Sequence, residues 1–143
     1  MTPAVRLTRL PPPVFSAELP AIWPSQNVYD RWHWARQRRQ VEFWAGLIRC
    51  QLKAPAACDE FRTVLLQCYR RQRCRDKANL EGGAKGLVDG IVRAGLLKDD
   101  SSDWCDIAYR QGTIAMGGQR REYTVLTVWT GRVDVTVEEI PDA

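Results

Sequence analysis

Carboxylate, amide and lysine side chains follow one another in the middle of this chain, in a combination suited to phosphodiester chemistry. Asp76 and Asn79 come first, Lys85 follows, and Asp99 and Asp100 close the segment. Carboxylates bind Mg²⁺ or Mn²⁺ through hard oxygen ligands, and a nearby cation can stabilise the charge developing on a phosphate. These residue types are therefore candidates for a metal-dependent site.

The same residues also have an ordinary structural interpretation. An aspartate that follows a strand, as Asp76 is expected to do, often caps the next helix, and Asn79 is a common turn residue. Asp99 and Asp100 follow Gly95-Leu96-Leu97 and are compatible with a surface loop. Spacing alone leaves both interpretations open.

Basic residues lie immediately before the acidic segment. The formal net charge is only +4, but arginines concentrate in Arg31–Arg39 and Arg70–Arg75, whereas residues 134–142 are acidic. Local clustering of arginine, more than net charge, favours binding to phosphates. The predicted DNA-binding residues are Arg70, Arg71, Arg73, Arg75 and Arg31. A solvated charged surface is the alternative.

From Asp76 to Asp100 the sequence resembles the RusA family of Holliday junction resolvases. That family carries Asp-x-Asp-Asn-Leu, a lysine on the next helix with an aspartate four residues later, then Ala-Gly and Asp-Asp. The matching residues here are Asp76, Asn79, Leu80, Lys85, Asp89, Ala94, Gly95, Asp99 and Asp100. The resemblance extends upstream to Leu19-Pro20 and Pro24-Ser25-Gln26-Asn27, and downstream to Gly117-Gly118.

This resemblance implies a metal-dependent, structure-selective endodeoxyribonuclease that resolves Holliday junctions or other branched DNA in recombination and repair. It implies Asp76, Lys85 and Asp100 as catalytic residues, with Asp76, Asp100 and Asp99 holding Mg²⁺ or Mn²⁺. Asn79 and Asp89 would support the site, with Asn79 bracing the turn between strand and helix. A homodimer is implied as well, because the family places two sites across one junction.

One position departs from the family pattern. Ala78 stands where the family has the second aspartate of Asp-x-Asp, and a methyl group cannot ligate a metal. In an extended segment, residues two apart point the same way, so Ala78 would face the metal beside Asp76. Glu81 is the nearest carboxylate that could compensate. The alternative function is therefore a RusA-fold protein that binds branched DNA but cleaves it weakly or not at all.

Length and composition point to one globular domain in the cytoplasm. The chain has 143 residues, 45% of them hydrophobic, and no apolar run near the roughly 20 residues that a membrane helix needs. Residues 1–13 form a proline-containing lead-in, expected to be flexible and lacking the apolar centre of a secretory signal. Residues 14–131 form the RusA-like domain, and residues 132–143 an acidic tail. Five cysteines without metal-ligand spacing indicate free thiols in a reducing compartment.

Residue periodicity predicts an α+β fold with a mixed β-sheet flanked by two α-helices, which the RusA resemblance also implies. Strands are predicted at 14–19, 61–69, 104–115 and 121–129, the last two joined as a hairpin at Met116–Gln119. Val133, Val135 and Val137 could add an edge strand. Helices are predicted at 35–53 and 80–94, the second closed by Gly95. In the first, the spacing of Val41, Trp44, Ala45, Ile48 and Leu52 predicts one buried apolar stripe. The glycines of the 80–94 helix indicate either that this helix closely approaches the sheet or a partner backbone, or that its first turn is looser at Gly82-Gly83.

Aromatic residues lie just before and among the arginines of Arg31–Arg39, near the start of the first predicted helix. Trp23, Tyr29, Trp32 and Trp34 could stack on unpaired bases, or could pack in the core or at a dimer interface. We expect about two of the four to be buried.

Overall fold

The computed structural model describes residues 10–52, 58–115 and 120–135, which fall into two units. The sheet unit comprises the described residues of 10–22, 62–73 and 106–135. The helical unit comprises those of 23–61 and 74–105. Each unit draws on separate stretches of the sequence, so the chain passes between them several times.

Four strands form one sheet: β1 (Phe15–Leu19), β2 (Arg62–Arg70), β3 (Cys105–Thr113) and β4 (Tyr123–Thr130). Their order is β1-β4-β2-β3, and β4 runs antiparallel to both β1 and β2. The Ile114 backbone N–H donates to the Arg70 carbonyl at 2.9 Å. This bond places the C-terminal ends of β3 and β2 side by side, so that pair is parallel and the sheet is mixed. The predicted α+β class with a mixed sheet is confirmed.

Strand register brings the most apolar positions to one face of the sheet. Leu66 lies opposite Leu126 and Val64 opposite Val128, and all four side chains are fully buried. Leu19 on β1 is paired with Thr124, whose hydroxyl donates to the Ala21 carbonyl at 2.7 Å. Because side chains alternate across a strand, this register fixes which residues of β2 and β4 share the opposite face.

The predicted hairpin between the third and fourth strands is wrong. β2 lies between β3 and β4 in the sheet, so the two are not neighbours. The reason is visible in the burial of the strands: β4 is buried or half-buried at every position before Thr130, whereas Asp106 of β3 is exposed. A strand that is apolar on both faces is best placed centrally, and β4 has strand partners on both sides. Met116–Gln119 lies outside the described residues.

The remaining predictions for the ends of the sheet unit have mixed outcomes. Residues 132–135 are not in a strand, so the predicted edge strand is absent there, and residues 136–143 lie outside the described part. Of the lead-in, Leu10–Pro13 is described. The Trp129 indole N–H donates to the Pro11 carbonyl at 2.8 Å, so this end of the lead-in is attached to the sheet.

The helical unit contains α1 (Gln26–Arg31), α2 (Trp34–Gln51), α3 (Lys77–Gly82) and α4 (Lys85–Arg93). The apolar stripe predicted for α2 is confirmed, since Trp44, Ala45 and Ile48 are buried. Helix α2 packs along α4, and α1 packs against α3. No helix in the part of the chain that is described is long and apolar enough to cross a membrane.

The sequence predicts a single helix from Leu80 to Ala94, and this is wrong: the helix is interrupted at Gly83-Ala84. A Cβ atom on Gly83 would overlap the Pro24 carbonyl oxygen. On Gly90 a Cβ would lie 2.7 Å from Trp44 Cβ and 3.1 Å from the Ala45 backbone nitrogen. The close approach predicted from the glycines therefore exists, but it is to the chain's own Pro24 and α2, not to the sheet or a partner.

Helix α4 ends as predicted, at Gly95. This glycine has φ of 90°, its N–H donates to the Val92 carbonyl, and the Leu96 N–H donates to the Ile91 carbonyl. Together these bonds form a Schellman motif, in which glycine avoids the steric cost of the left-handed conformation. Leu96 and Leu97 are then buried, which fixes where the following acidic residues emerge.

Replacing Gly90 with alanine is expected to destabilise the protein, because the added methyl would collide with backbone as well as with Trp44. We expect the free energy of unfolding to fall by about 1–3 kcal/mol, the usual cost of overpacking. Gly46→Ala is the matched control, since a Cβ there meets nothing within 4 Å. That change should stabilise α2 by up to about 1 kcal/mol. Urea unfolding of both variants measures the difference; equal effects would contradict the packing argument.

Candidate functional site

Asp76 caps the N-terminus of α3. Its backbone is extended, with φ of −123° and ψ of 152°, and its Oδ1 accepts a hydrogen bond from the Asn79 N–H at 2.7 Å. This satisfies one of the amide donors that a helix leaves unpaired in its first turn. Asp76 is exposed, and its other carboxylate oxygen makes no hydrogen bond within the described residues. One oxygen is structural and the second is available to a ligand.

Asn79 links this turn to a segment that lies far upstream in the sequence. Its side-chain Oδ1 accepts a hydrogen bond from the Asn27 backbone N–H at 3.0 Å. Beside it, the buried Trp23 indole N–H donates to the Leu80 carbonyl at 2.8 Å. The interpretation of Asn79 as a brace for the turn before the helix is thus consistent with its contacts. The segment Pro24–Asn27 and the Asp76–Leu80 turn, both quoted for the resemblance, form one structural feature.

Lys85 and Asp89 lie one turn apart at the start of α4. Lys85 Nζ is 3.5 Å from Asp89 Oδ2, with the lysine side chain more exposed than the aspartate. Such a pair contributes little to stability because solvent screens it. The lysine head therefore remains available to a phosphate.

Tyr29 lies close enough to Lys85 and Asp89 for their charges to affect the pKa of its phenol. Its side chain is buried, and a Cβ on Gly86 of the same turn would lie 3.4 Å from the Tyr29 ring. Burial raises the pKa of the Tyr29 phenol above 10.0, and the Asp89 carboxylate raises it further, while Lys85 acts in the opposite direction. Tyr29, Lys85 and Asp89 thus form a second polar group in the helical unit, one that sequence reasoning had assigned only in part.

Asp99 and Asp100 emerge on the surface after the Schellman motif. Both are exposed, and neither forms a hydrogen bond or ion pair within the described residues. The preceding Lys98 is occupied elsewhere: its Nζ lies 2.6 Å from Asp59 and 4.3 Å from the centre of the Trp104 ring. The hydrogen bond from Lys98 lowers the pKa of the Asp59 carboxyl. The adjacent lysine therefore does not neutralise the two acidic side chains.

In the described part of the chain, the candidate metal ligands do not form a preorganised metal-binding site. Among the described residues, no three side chains of His, Cys, Asp or Glu are grouped so that they could hold a metal ion. Ala78 is an exposed residue in the first turn of α3, not in an extended segment, so the strand alternation used to place it beside Asp76 does not apply. Glu81 lies 3.7 Å from Lys77 on the same helix. The described residues therefore bring fewer than three such side chains to any one point, and water or substrate would have to supply the remaining ligands of a metal.

Of the predicted DNA-binding arginines, Arg31, Arg71, Arg73 and Arg75 are exposed. Arg70 differs, because it is only 6% exposed and its Nε donates to Cys68 Sγ at 3.1 Å. Alternation along β2 gives the physical reason: Arg70 is the last residue of the strand and its side chain is turned inward. It is therefore not on the surface that a phosphate could reach in this conformation.

Sequence reasoning missed Arg121. This exposed arginine and Arg71 line a cavity of about 500 Å³ together with Glu122, whose carboxylate accepts a hydrogen bond from the Arg71 N–H at 2.9 Å. The neighbouring Arg120 is paired with Glu18 and stacks on Tyr123. The consecutive arginines Arg120-Arg121 could have indicated a second basic surface in the sequence. Only the fold shows that Arg120 is paired with Glu18 and that Arg121 is exposed.

The aromatic residues divide as expected. Trp23 and Tyr29 are buried, so the prediction that about two of the four would be buried is confirmed. Trp34 is 64% exposed, and Trp32 is half-buried beneath the Arg36 guanidinium, 4.1 Å from its ring centre. None of the five cysteines, all of them among the described residues, forms a disulfide.

Comparison with known proteins adds no identification: no family model matches the chain, and no curated protein sequence matches it.

Removing the Asp76 side chain should destabilise α3 through loss of its cap. We expect Asp76→Ala to lower the free energy of unfolding by about 1 kcal/mol, and Asp76→Asn to retain nearly all of it, because asparagine caps about as well as aspartate. Urea unfolding checks both. If the two variants are equally destabilised, the carboxylate charge and not the hydrogen bond to Asn79 stabilises the turn.

The raised pKa of Tyr29 predicts a loss of stability at alkaline pH. A group with a folded-state pKa above its unfolded value of 10.0 stabilises the fold below that value, and the contribution disappears as pH rises through the folded pKa. Tyr29→Phe removes this titration. Its stability relative to the parent should therefore increase between about pH 8 and about pH 11, measured by urea unfolding. A constant difference across that range would show that Tyr29 titrates alike in both states.

Proposed function

We propose that this protein is a metal-dependent endodeoxyribonuclease of the RusA-like type, selective for Holliday junctions or other branched DNA. The observation that carries the proposal is the hydrogen-bonded unit of Asp76, Asn79 and Asn27. Residues from two distant parts of the resemblance meet in it, and it leaves one oxygen of an exposed aspartate free. A structural cap alone would not require the upstream segment to be attached at the same turn.

In this proposal Asp76 and Asp100, with Asp99 adjacent, hold Mg²⁺ or Mn²⁺. The metal would supply Lewis-acid stabilisation of the phosphate at the cleaved bond. Two carboxylates fit Mg²⁺ when water and substrate phosphates complete its shell, which is a common arrangement for this ion. Lys85 would contact the same phosphate and stabilise its developing charge, while Asp89 orients the lysine through their ion pair.

Binding of DNA is assigned to the exposed arginines Arg71, Arg73, Arg75 and Arg31. Arg70 instead holds the end of β2 through Cys68, so we leave it out of the proposed interface. A homodimer acting in the cytoplasm completes the proposal, because paired nicks on opposing strands need two sites on one assembly. The glycines between Leu80 and Ala94 do not support a dimer, since contacts within the chain account for Gly83 and Gly90.

A second candidate function is binding of branched DNA without efficient cleavage. It is favoured by two observations: the described residues contain no group of three potential metal ligands, and Ala78 offers no carboxylate in the first turn of α3. A site with fewer anionic ligands binds divalent cations more weakly. The two candidates share the same DNA surface and differ only in metal affinity and turnover.

Cleavage of a synthetic four-way junction, compared with a linear duplex of the same sequence, tests the proposal. We expect junction-selective cleavage that requires Mn²⁺ or high Mg²⁺, and we expect Asp76→Asn to abolish it while keeping the helix cap and DNA binding. Asp103→Asn, which removes another exposed carboxylate, is the control and should cleave normally. Junction binding without cleavage under any metal condition would favour the second candidate.

Restoring the missing carboxylate distinguishes the two candidates further. Ala78→Asp should tighten metal binding and increase junction cleavage at low Mg²⁺, because ligand charge largely sets affinity for hard cations. The change should not reduce stability, since the first turn of α3 has no acidic residue and its N-terminus favours negative charge. Metal titration by calorimetry and urea unfolding provide the two measurements. Unchanged affinity and cleavage would show that position 78 is remote from the metal.

The arginine assignment predicts a specific change in salt dependence. Combining Arg73→Ala with Arg75→Ala should reduce the slope of log affinity against log salt by about 2, one for each lost phosphate contact. Arg132→Ala removes one charge outside the cluster, where the arginine lies 3.4 Å from Asp106, and serves as the control. Fluorescence anisotropy with a labelled junction between about 50 and 200 mM salt measures the slopes. Identical slopes would show that the cluster is a solvated surface.

A further inference from the structure

The start of α2 carries exposed aromatic and basic side chains that the proposed function leaves unused. Trp34 is the first residue of this helix, and 64% of its surface is exposed. The exposed His33 lies beside it, with the two ring centres 5.3 Å apart. Arg38 and Arg39 follow in the next turn and are exposed as well. Because residues four apart on a helix are neighbours, Arg38 lies on the same side of α2 as Trp34.

The two tryptophans at this end of the helix differ in how the chain covers them. Trp32 lies beneath the Arg36 guanidinium, 4.1 Å from its ring centre, and its ring is 5.7 Å from that of Tyr29. It is half-buried as a result. Within the described residues, the ring of Trp34 has no cation above it and contacts only the His33 ring. The larger part of this indole is therefore open to a second planar group.

Positive charge is concentrated around the open indole. Between Trp23 and Val41 the sequence has four arginines and a single carboxylate, that of Asp30. Arg38 and Arg39 form no ion pair or hydrogen bond within the described ranges, whereas Arg93 is paired with Glu42 of α2. The first turn of α2 contains no acidic residue, although the N-terminus of a helix favours negative charge. Helix stability therefore does not explain these arginines, and a polyanion would be attracted to them.

The combination of charge and ring selects among possible partners. A second copy of the chain would bring the same arginines together in a two-fold symmetric contact. A membrane surface needs an apolar helix face, but Trp44, Ala45 and Ile48 of α2 are buried, and this helix packs along α4. An acidic peptide matches the charge only. A single-stranded nucleic acid matches both features, because its phosphates pair with arginine and its unpaired bases stack on aromatic rings.

We propose that the start of α2 binds single-stranded nucleic acid, with an unpaired base stacked on Trp34 and neighbouring phosphates contacted by Arg38 and Arg39. Every base has a π-face, so this contact tolerates any sequence. The choice of DNA as the strand rests on the proposed function, since branched DNA has bases that can unpair at the branch point. The surface itself includes none of the candidate metal ligands and none of Arg71, Arg73 and Arg75.

Binding of a labelled oligothymidylate, compared with an abasic strand of the same length and charge, tests the proposal. Fluorescence anisotropy is measured with the full-length protein and a chelator in place of metal. We expect the oligothymidylate to bind at least roughly fivefold more tightly, which corresponds to the stacking of one base. Equal affinity for the two strands would overturn the proposal, because the surface would then recognise phosphate alone.

Substitutions of the exposed ring identify its contribution. Trp34→Ala should weaken oligothymidylate binding roughly fivefold or more and leave abasic binding unchanged, while Trp34→Phe keeps a ring and most of the affinity. Phe43→Ala is the matched control, because Phe43 is 45% exposed and lies nine residues further along, on the opposite side of α2. It should bind both strands normally. Full oligothymidylate affinity in folded Trp34→Ala would contradict the proposal.

The phosphate contacts are tested independently of the ring. Arg38→Gln should reduce the slope of log affinity against log salt by about 0.7 for both strands, the value for one contact to a single strand. Arg49→Gln removes a charge at the other end of α2, where the guanidinium donates to the Arg93 carbonyl at 3.0 Å, and should leave the slope unchanged. A slope that Arg38→Gln leaves unchanged would remove Arg38 from the proposed contact and contradict the assignment.

Two further comparisons separate this proposal from its alternatives. Binding to phosphatidylserine vesicles that Trp34→Ala abolishes, without any preference for thymidine over the abasic strand, would assign the surface to lipid and overturn the proposal. The nuclease proposal is distinguishable because these measurements need no cleavage. A protein that cleaves four-way junctions but binds both strands alike refutes the stacking proposal alone. One that prefers oligothymidylate but never cleaves refutes the nuclease proposal alone.

Discussion

The close approach of the Pro24 carbonyl to Gly83 is the constraint on which the rest of the helical unit depends. Any side chain at position 83 would overlap that carbonyl, so α1 can lie against α3 only because this residue is glycine. The approach brings the Asn27 N–H within reach of the Asn79 side chain and the Trp23 indole within reach of the Leu80 carbonyl. The break between α3 and α4 lies at this same contact, at Gly83-Ala84.

In this unit a single side chain, Asp76, contributes both to stability and to the proposed chemistry. One oxygen of Asp76 stabilises the helix N-terminus, and the same hydrogen bond fixes the orientation of the carboxylate. A carboxylate held in this way loses less conformational freedom when it binds a ligand than a freely rotating one. Elsewhere in the helical unit, the ion pair of Lys85 with Asp89 is open to solvent and therefore weak. The chain therefore fixes the orientation of the Asp76 carboxylate and leaves its second oxygen without a hydrogen bond among the described residues.

Sequence reasoning succeeded where local physics dominates. The stripe on α2, the glycine that ends α4, the strands 62–70 and 123–130 and the burial of about two of the four aromatic residues follow from periodicity, composition and turn chemistry. It failed where the outcome depends on contacts between segments that are distant in the sequence. The position of β2 between β3 and β4, the interruption at Gly83 and the burial of Arg70 each depend on a neighbour far away in the chain.

The sequence by itself determined the types of elements, the acidic, amide and basic groups available for chemistry, and the resemblance that suggests a nuclease. Only the tertiary structure decided that Asn79 braces the turn to Asn27, that Arg121 is exposed while Arg120 is paired, and that Trp34 is left exposed. The physical reason is the range of the interactions. Periodicity and capping act within one or two turns, whereas strand order and the attachment of the lead-in to the sheet are set by contacts between residues more than forty positions apart.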